Sequence, residues 1–325
     1  MALQTPILFL IFNRPEQTHR VFEAIRKQQP KQLFIAADGP RSNVQTDQQQ
    51  CLEAQSIIGE IDWDCQVETL IRKDNLGCKL AVSQAINWFF KQVEMGIILE
   101  DDCLPSESFF SYTSNLLEYY KEHSDILMIS GNNFHQDLYG RGNGYYFTQI
   151  PHIWGWATWR RAWNLYDIKM NDLPEFLREE RLNEVAQDKD HQNYWAKRFI
   201  ATYTNKVNTW DYQWVFAIFN YNGLCICPGK NLVENIGFGA DATHTGADTD
   251  KFYALKRNDL SISSHPENIE VNQKADTAEY ELMNIKFESI RNPIKKWIKT
   301  HKARSKSGRL IQEFLATSDA KNHLP

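Results

Sequence analysis

The stretch GIILEDDC, residues 96–103, runs large apolar residues directly into three consecutive acids. A short apolar run that follows a helical pattern is typical of a strand buried in a parallel sheet. Glu100, Asp101 and Asp102 would then stand at the carboxyl end of that strand. Ligands of such sheets bind just beyond the carboxyl ends of the strands. The stretch therefore predicts a buried strand that ends at a binding site.

The first hundred residues alternate between strand-like and helix-like blocks. Apolar runs predict strands at 6–12, 33–40, 65–72 and 96–100. Composition and apolar spacing predict helices at 16–28 and 44–58 and along the stripe from 82 to 93. Strands that arrive between helices form a parallel sheet covered on both faces, so we predict an α/β fold with a mostly parallel sheet flanked by helices.

Polar residues follow the first two predicted strands as well. Asn13 and Arg14 come after the first strand, and Asp38 comes after the second. With the acids of EDD they form an oxygen-rich group that suits Mg²⁺ or Mn²⁺, cations that take one or two carboxylates and complete their shell with water and substrate phosphates. Two plainer interpretations stay open. EDD could cap the following helical segment, and Asp38 could form a turn with Gly39.

Bulk properties exclude several classes of protein. The chain has 325 residues and a formal net charge of −5, which argues against a general nucleic-acid binder. Six cysteines without a CxxC pair fit a reduced, cytoplasmic compartment. The apolar run at 6–12 is far shorter than the ~20 residues of a spanning helix, and no basic segment precedes it. We predict neither a signal peptide nor a transmembrane helix.

Three segments of the second half carry a family resemblance. They are FTQIPHIWGWATWRRAWN at 147–164, NTWDYQWVFAI at 208–218 and NIGFGADATHTG at 235–246. Together with the EDD triplet they resemble the GT-A fold of nucleotide-sugar glycosyltransferases, and most closely the inverting N-acetylglucosaminyltransferase I type. The similarity extends from about residue 5 to residue 250.

The resemblance implies a donor side built from the first half of the chain. In that family an Arg after the first strand meets the diphosphate, an Asp after the second strand meets the uracil, and the last acid of EDD holds Mn²⁺. Arg14, Asp38 and Asp102 match those positions, and His244 matches a His near the diphosphate or metal. The full set of predicted donor-binding residues is Asn13, Arg14, Asp38, Lys79 in the KDNLGCK turn, Glu100 and Asp101, with Asp102 and His244 as metal ligands.

The resemblance also implies an acceptor side and a base. Gly155 and Trp156 match a Gly-Trp pair that lines the acceptor, and Trp154 joins them. Asp211 matches a segment that carries the catalytic base; the family has two adjacent acids there and this chain has one, so the one-residue register stays open. All four tryptophans at 154, 156, 159 and 163 could instead be core residues. The helical spacing of 156, 159 and 163 favours packing for Trp159 and Trp163, whereas Trp154 and Trp156 flank a Gly and could line a sugar pocket.

The predicted organisation is a GT-A-like domain over 1–255 and a helical extension over 256–325. The domain divides into a nucleotide-sugar-binding half, 1–104, and an acceptor and catalytic half, 105–255. Within the extension, residues 284–309 are basic with apolar residues on one helical face. Such a segment either lies on an anionic membrane surface or packs on the domain as an ordinary solvated helix.

Together with the acidic cluster at the sheet edge, the resemblance implies a metal-dependent, inverting glycosyltransferase. Its expected partners are a nucleotide-sugar donor, with UDP as the family default, and a glycan or lipid-linked acceptor in surface polysaccharide assembly. The expected location is cytoplasmic or peripheral to the membrane. Two rival classes remain: a nucleotidyltransferase, which would want a Gly-rich loop where IFNRPEQ has none, and a non-catalytic sugar- or nucleotide-binding module, which would not need Asp211.

Overall fold

The computed structural model describes residues 2–135, 139, 144–186, 188–237 and 255–282. The strands are β1 (Ile7–Ile11), β2 (Gln32–Ala37), β3 (Gln66–Ile71), β4 (Met95–Glu100), β5 (Cys103–Pro105), β6 (Ile126–Ser130), β7 (Tyr145–Thr148), β8 (Trp156–Trp159), β9 (Leu224–Pro228) and β10 (Val233–Asn235). The helices are α1 (Pro15–Gln28), α2 (Asp47–Gln55), α3 (Gly77–Phe90), α4 (Glu107–Tyr119), α5 (Arg160–Trp163), α6 (Leu173–Arg178), α7 (Leu182–Val185), α8 (Lys189–Tyr203), α9 (Asp211–Asn220) and α10 (Gln273–Leu282). A 3-10 helix, Ser56–Glu60, follows α2.

Eight strands form one mixed sheet in the order β3-β2-β1-β4-β8-β6-β9-β7. Strands β1 to β4 pair in parallel, as do β6 and β9, whereas β8 and β7 run antiparallel to their neighbours. All five residues of β1 are buried, which is the burial expected of a strand covered on both faces. The α/β fold with a large, mostly parallel sheet flanked by helices is therefore confirmed.

The first strands and helices lie where the apolar pattern predicts them. Helix α1 begins at Pro15, whose ring presets the helical φ, and buries Val21, Phe22 and Ile25 on one face. A residue before proline is held out of the α region. Arg14 accordingly has φ −122° and ψ 74°, so the chain turns at the end of β1 and leaves the arginine at the carboxyl edge of the sheet.

Two local predictions are wrong. Trp156 and Trp159 do not lie on a helix, because they begin and end β8. Lys79 does not lie in a turn, because α3 already begins at Gly77. In both places a neighbouring element decides the structure: β8 pairs with β4 and β6, and the start of α3 is held by contacts described below.

The described residues divide into two compact units. The first comprises the described residues of 2–166 and 223–279 and contains the eight-stranded sheet; the second comprises the described residues of 167–222 and 280–282. In the second unit, aromatic residues of α6, α8 and α9 pack edge to face, as Phe176 and Phe199 do on Phe216. The predicted boundaries at 104 and 255 stay predictions. No helix in the described part of the chain is both long and apolar enough to cross a membrane.

Candidate functional site

A salt-bridged cluster joins the carboxyl ends of β1 and β4 in the first unit. The Arg14 guanidinium donates to Asp102 Oδ2 at 2.6 Å and lies 3.9 Å from Asp101 Oδ1. The two strands are hydrogen-bonded neighbours, so residues that follow them in sequence become neighbours in space. The structure thereby brings together three residues that the sequence assigned to the donor side, and Glu100 closes β4 beside them.

Asp101 is the most constrained carboxylate of this cluster. It is 7% exposed, and its Oδ2 accepts the backbone N–H of Phe12 at 3.0 Å. Burial, followed by the charge of Asp102, raises its pKa to about 7, although Arg14 and the Phe12 N–H act in the opposite direction. The pKa of Arg14 is also raised, because the charges of Asp101 and Asp102 together outweigh its own burial.

The third element at this cluster comes from far along the chain. Strand β10 pairs antiparallel with β5, and the N–H of Ile236 donates to the main-chain carbonyl of Asp102 at 2.8 Å. Gly237 follows directly, and a Cβ at that position would lie 2.3 Å from Asp102 Oδ2 and 2.9 Å from an Arg14 nitrogen. Only glycine fits here without moving the salt bridge.

Asp38 has a structural task that the sequence did not show. Its carboxylate accepts the backbone N–H groups of Gly39, Leu76 and Gly77 and the side-chain amide of Asn75, all within 3.2 Å. Leu76 and Gly77 open α3, so Asp38 ties the end of β2 to the start of that helix. The predicted contact of Asp38 with the uracil of the donor stays a prediction. A uracil bound there would donate to a carboxylate that these four groups already occupy.

Sequence analysis missed a second buried carboxylate at the same edge. Asp47, at the first position of α2, is fully buried and accepts the Asn13 side chain at 2.8 Å and two guanidinium N–H groups of Arg41 at 2.6 and 2.8 Å. The hydrogen bonds from Arg41 are the largest cause that lowers the pKa of Asp47, to about 2. Arg41 also lies over the Phe12 ring at 5.5 Å. The usable signal was Arg41 itself, a cation placed just after the predicted second strand.

The donor set at EDD fits a hard divalent cation. Carboxylate oxygens are the atoms that Mg²⁺ and Mn²⁺ prefer, and these ions accept a site with one protein carboxylate. The side chain of Asp102 keeps 19% exposure; its Oδ2 pairs with Arg14, and its Oδ1 accepts the Cys103 thiol at 3.4 Å. Lys79 lies near the start of α3, and burial lowers its pKa.

The Gly-Trp segment separates into an enclosed and an accessible part. Trp156 in β8 is fully buried, which supports its interpretation as a core residue. Its indole has no exposed face against which a sugar could stack. Trp154 is half-buried, and its backbone N–H donates to Asn132 Oδ1 at 3.0 Å. Gly155 has φ +66°, and a Cβ there would approach Val233 to 2.8 Å. The acceptor-side assignment of this segment stays a prediction.

The remaining predicted residues belong to the second unit or lie outside the described residues. Asp211 is the first residue of α9 in the second unit, where its Oδ1 accepts the Tyr212 N–H at 2.8 Å and the Thr209 hydroxyl. Its role as base stays a prediction. His244 and the basic segment 284–309 lie outside the described residues.

Comparisons with known proteins give no family. No protein-family profile matches the chain, and no curated protein matches it. Among solved structures, a mannosyltransferase from Pyrobaculum calidifontis in complex with GDP-Man and Mn²⁺ is 12% identical over 49% of this chain and 45% of its own, with a TM-score of 0.33. Apo mouse xyloside xylosyltransferase 1 is 11% identical over 66% of this chain and 81% of its own, with a TM-score of 0.31. The chain thus spans less than half of the mannosyltransferase, and at these TM-scores neither structure carries an argument for it.

Proposed function

We propose that this chain is a metal-dependent, inverting glycosyltransferase that moves a sugar from a nucleoside-diphosphate donor, UDP in the first place, to a hydroxyl of a glycan or glycolipid. The observation that carries the proposal is the cluster of Arg14, Asp101 and Asp102 at the carboxyl ends of two paired parallel strands. This is the edge where open α/β sheets bind ligands. At this edge the Arg14 guanidinium can bind phosphate oxygens, and the neighbouring carboxylates of Asp101 and Asp102 can bind a divalent cation.

The residues of this edge have separate tasks in the proposal. Asp102 would hold the cation, which as a Lewis acid offsets the charge of the leaving diphosphate. Arg14 binds the diphosphate through charge-assisted hydrogen bonds, and its salt bridge to Asp102 holds the guanidinium at this edge before the substrate arrives. Lys79 adds a second cation for the same oxygens. Its lowered pKa follows from burial, which makes pairing with an anion more favourable.

The base is assigned to Asp211. In an inverting displacement a carboxylate removes the proton of the acceptor hydroxyl as the new bond forms on the opposite face of the sugar. The hydrogen bonds from Tyr212 and Thr209 to Oδ1 fix the orientation of this carboxylate at the start of α9. The assignment rests on the resemblance of NTWDYQWVFAI to the segment that carries the base in the N-acetylglucosaminyltransferase I type.

The turn after β1 argues against the nucleotidyltransferase alternative. Chains that cradle phosphates on a loop use glycines there, so that backbone N–H groups can approach the ligand. Here β1 ends at Ile11 and α1 begins at Pro15, and the three residues between them are Phe12, Asn13 and Arg14. Phosphate binding at this turn therefore has to come from the arginine side chain.

A thermal-shift screen tests the donor site. The melting temperature is measured with UDP, GDP, CDP and dTDP, each with and without Mn²⁺, because a ligand that binds only the folded state raises it. We expect a rise with one nucleotide that requires Mn²⁺ and is lost in Asp102→Asn. Asp62→Asn is the matched control, since Asp62 also pairs with an arginine but lies on the surface. A metal-independent rise, or a rise that survives in Asp102→Asn, would refute the metal assignment.

A second experiment separates binding from transfer. Asp211→Asn should keep the Mn²⁺-dependent nucleotide shift and lose sugar transfer, measured as nucleoside diphosphate released in the presence of acceptor. A normal transfer rate in this variant would remove Asp211 as the base. Nucleotide binding without transfer in the unaltered chain, across a broad acceptor panel, would favour the non-catalytic module instead.

A further inference from the structure

A cation lies between two aromatic rings close to the proposed base. Arg198 of α8 holds its guanidinium carbon 5.1 Å from the ring centre of Tyr194 and 5.9 Å from that of Tyr212. Tyr212 is the residue after Asp211, and the two share a hydrogen bond. We call Arg198, Tyr194, Tyr212 and Asp211 the Arg198 cluster. All four residues belong to the second unit.

The spacing of these residues follows from the two helices. Tyr194 and Arg198 are four positions apart on α8 and therefore stand on the same face. Helix α9 packs against α8 and begins with Asp211 and Tyr212. The two helices thus bring together two aromatic rings, a guanidinium and a carboxylate. Binding sites for sugars and other polar ligands with a flat face combine aromatic surfaces with a few polar groups in this way.

The electrostatics of the cluster favour an anion. Arg198 is exposed, and within the described residues no carboxylate oxygen lies at ion-pair distance from its guanidinium. Burial acts to lower its pKa, but the neighbouring Tyr212, Tyr194 and Asp211 raise it overall. Next along α8, burial and then the charge of Arg198 lower the pKa of Lys197. An exposed guanidinium of this kind gains by pairing with a ligand oxyanion.

We propose that the acceptor of this enzyme carries an oxyanion, a carboxylate or a phosphate, which Arg198 binds while Tyr194 and Tyr212 pack on the adjoining sugar ring. The inference rests on the proposed function and names the substrate class of the same reaction. The anionic group and the hydroxyl deprotonated by Asp211 belong to one acceptor molecule. A uronic acid and a sugar phosphate, such as the head of a lipid-linked acceptor, both provide the required chemistry.

Direct binding of small probes tests the proposal without requiring transfer. Dissociation constants are measured by ligand-observed NMR for methyl β-glucuronide, glucose 1-phosphate and methyl β-glucoside, with the full chain. We expect one of the two anionic probes to bind about tenfold or more tighter than the neutral glucoside, the gain of one charge-assisted contact. Which anion is preferred distinguishes a uronic acid acceptor from a phosphate-bearing one.

Substitutions assign the preference to its residue. Arg198→Ala should abolish the preference, Arg198→Lys should keep part of it, and Tyr194→Ala should weaken all three probes. Arg178→Ala, which removes a surface arginine of the same unit that pairs with Glu175, should change nothing. A purely structural role for Arg198 would lower the melting temperature and leave the order of the probes intact.

The outcomes separate this inference from the proposed function. If the glucoside binds as well as both anions, if neither anion binds at about 10 mM, or if Arg198→Ala keeps the preference, the anionic acceptor is refuted. The Mn²⁺-dependent nucleotide shift is measured on the same samples. If the shift is present in both the unaltered chain and Arg198→Ala, the proposed donor site is supported whatever the probes show. If the shift is absent from the unaltered chain, the proposed function itself is refuted.

Discussion

Replacing Asp101 by asparagine should stabilise the protein at neutral and alkaline pH. The folded state raises the pKa of Asp101 from 3.8 to about 7, chiefly by burial. A raised carboxyl pKa means that the folded state holds a proton that the unfolded state releases. Stability from this group is therefore complete below about pH 4 and is lost as the pH rises to about 7. Asparagine has no charge to bury and can still accept the Phe12 N–H.

The magnitude follows from the shift. About three pKa units at 1.36 kcal/mol each give about 4 kcal/mol at pH 8, and this net shift already includes the attraction between Asp101 and Arg14. Urea unfolding of Asp101→Asn and the unaltered chain, with chelator present, is measured at pH 5 and pH 8. We expect the advantage of the variant to grow with pH. A variant that is less stable at pH 8, or whose advantage is the same at both pH values, would refute the electrostatic account of this cluster.

Two further substitutions test the same edge. Asp47→Asn should lower the free energy of unfolding by roughly 2–3 kcal/mol at pH 7, because it breaks a buried ion pair whose partner Arg41 is partly exposed. The pKa of Asp47 is lowered to about 2 in the folded state. The destabilisation measured by urea unfolding should therefore shrink as the pH falls from about 4 towards 2. A penalty that is independent of pH would contradict this. Gly237→Val should displace Asp102 and remove the nucleotide-dependent thermal shift, while Gly59→Val, with nothing within 4 Å of its Cβ, should leave that shift unchanged. An intact shift in Gly237→Val would show that the close approach is unimportant.

The parallel half of the sheet could be predicted because local patterns and tertiary structure agree there. Strand β1 is apolar along its whole length and buried on both faces, so its sequence leaves little choice. The residues that follow β1 and β4 become neighbours through simple parallel pairing. The sequence alone therefore places Arg14 and the EDD acids together.

Strand β8 shows where periodicity fails. Trp156 and Trp159 are three positions apart, which is one helical turn, but on a strand this odd spacing places them on opposite faces. Both are buried, at 0% and 3% exposure, because the sheet is covered on both sides. A strand that is buried on both faces shows no alternation of apolar and polar residues. The sequence alone therefore could not distinguish a strand from a helix at 156–159.

The missed contacts are those that depend on distant or non-apolar partners. Asp38 holds the start of α3 through backbone N–H groups, which have no sequence signature at all. Strands β5 and β10 have three residues each and lie far apart in the sequence, so neither is visible as a pattern. Asp47 is a polar residue in a polar helix, and only its burial reveals its role.

The pairing of β10 with β5 has a consequence for how this protein is made. During translation β1 to β4 and the acidic triplet are synthesised early. The segment that hydrogen-bonds the main chain of Asp102, residues 233–237, is synthesised much later. Until then the nascent chain holds closely spaced acids at an unsupported turn. The edge at which we propose a divalent cation is thus completed late in translation, and we expect a prematurely terminated product that keeps only the first four strands to bind Mn²⁺ more weakly than the finished protein.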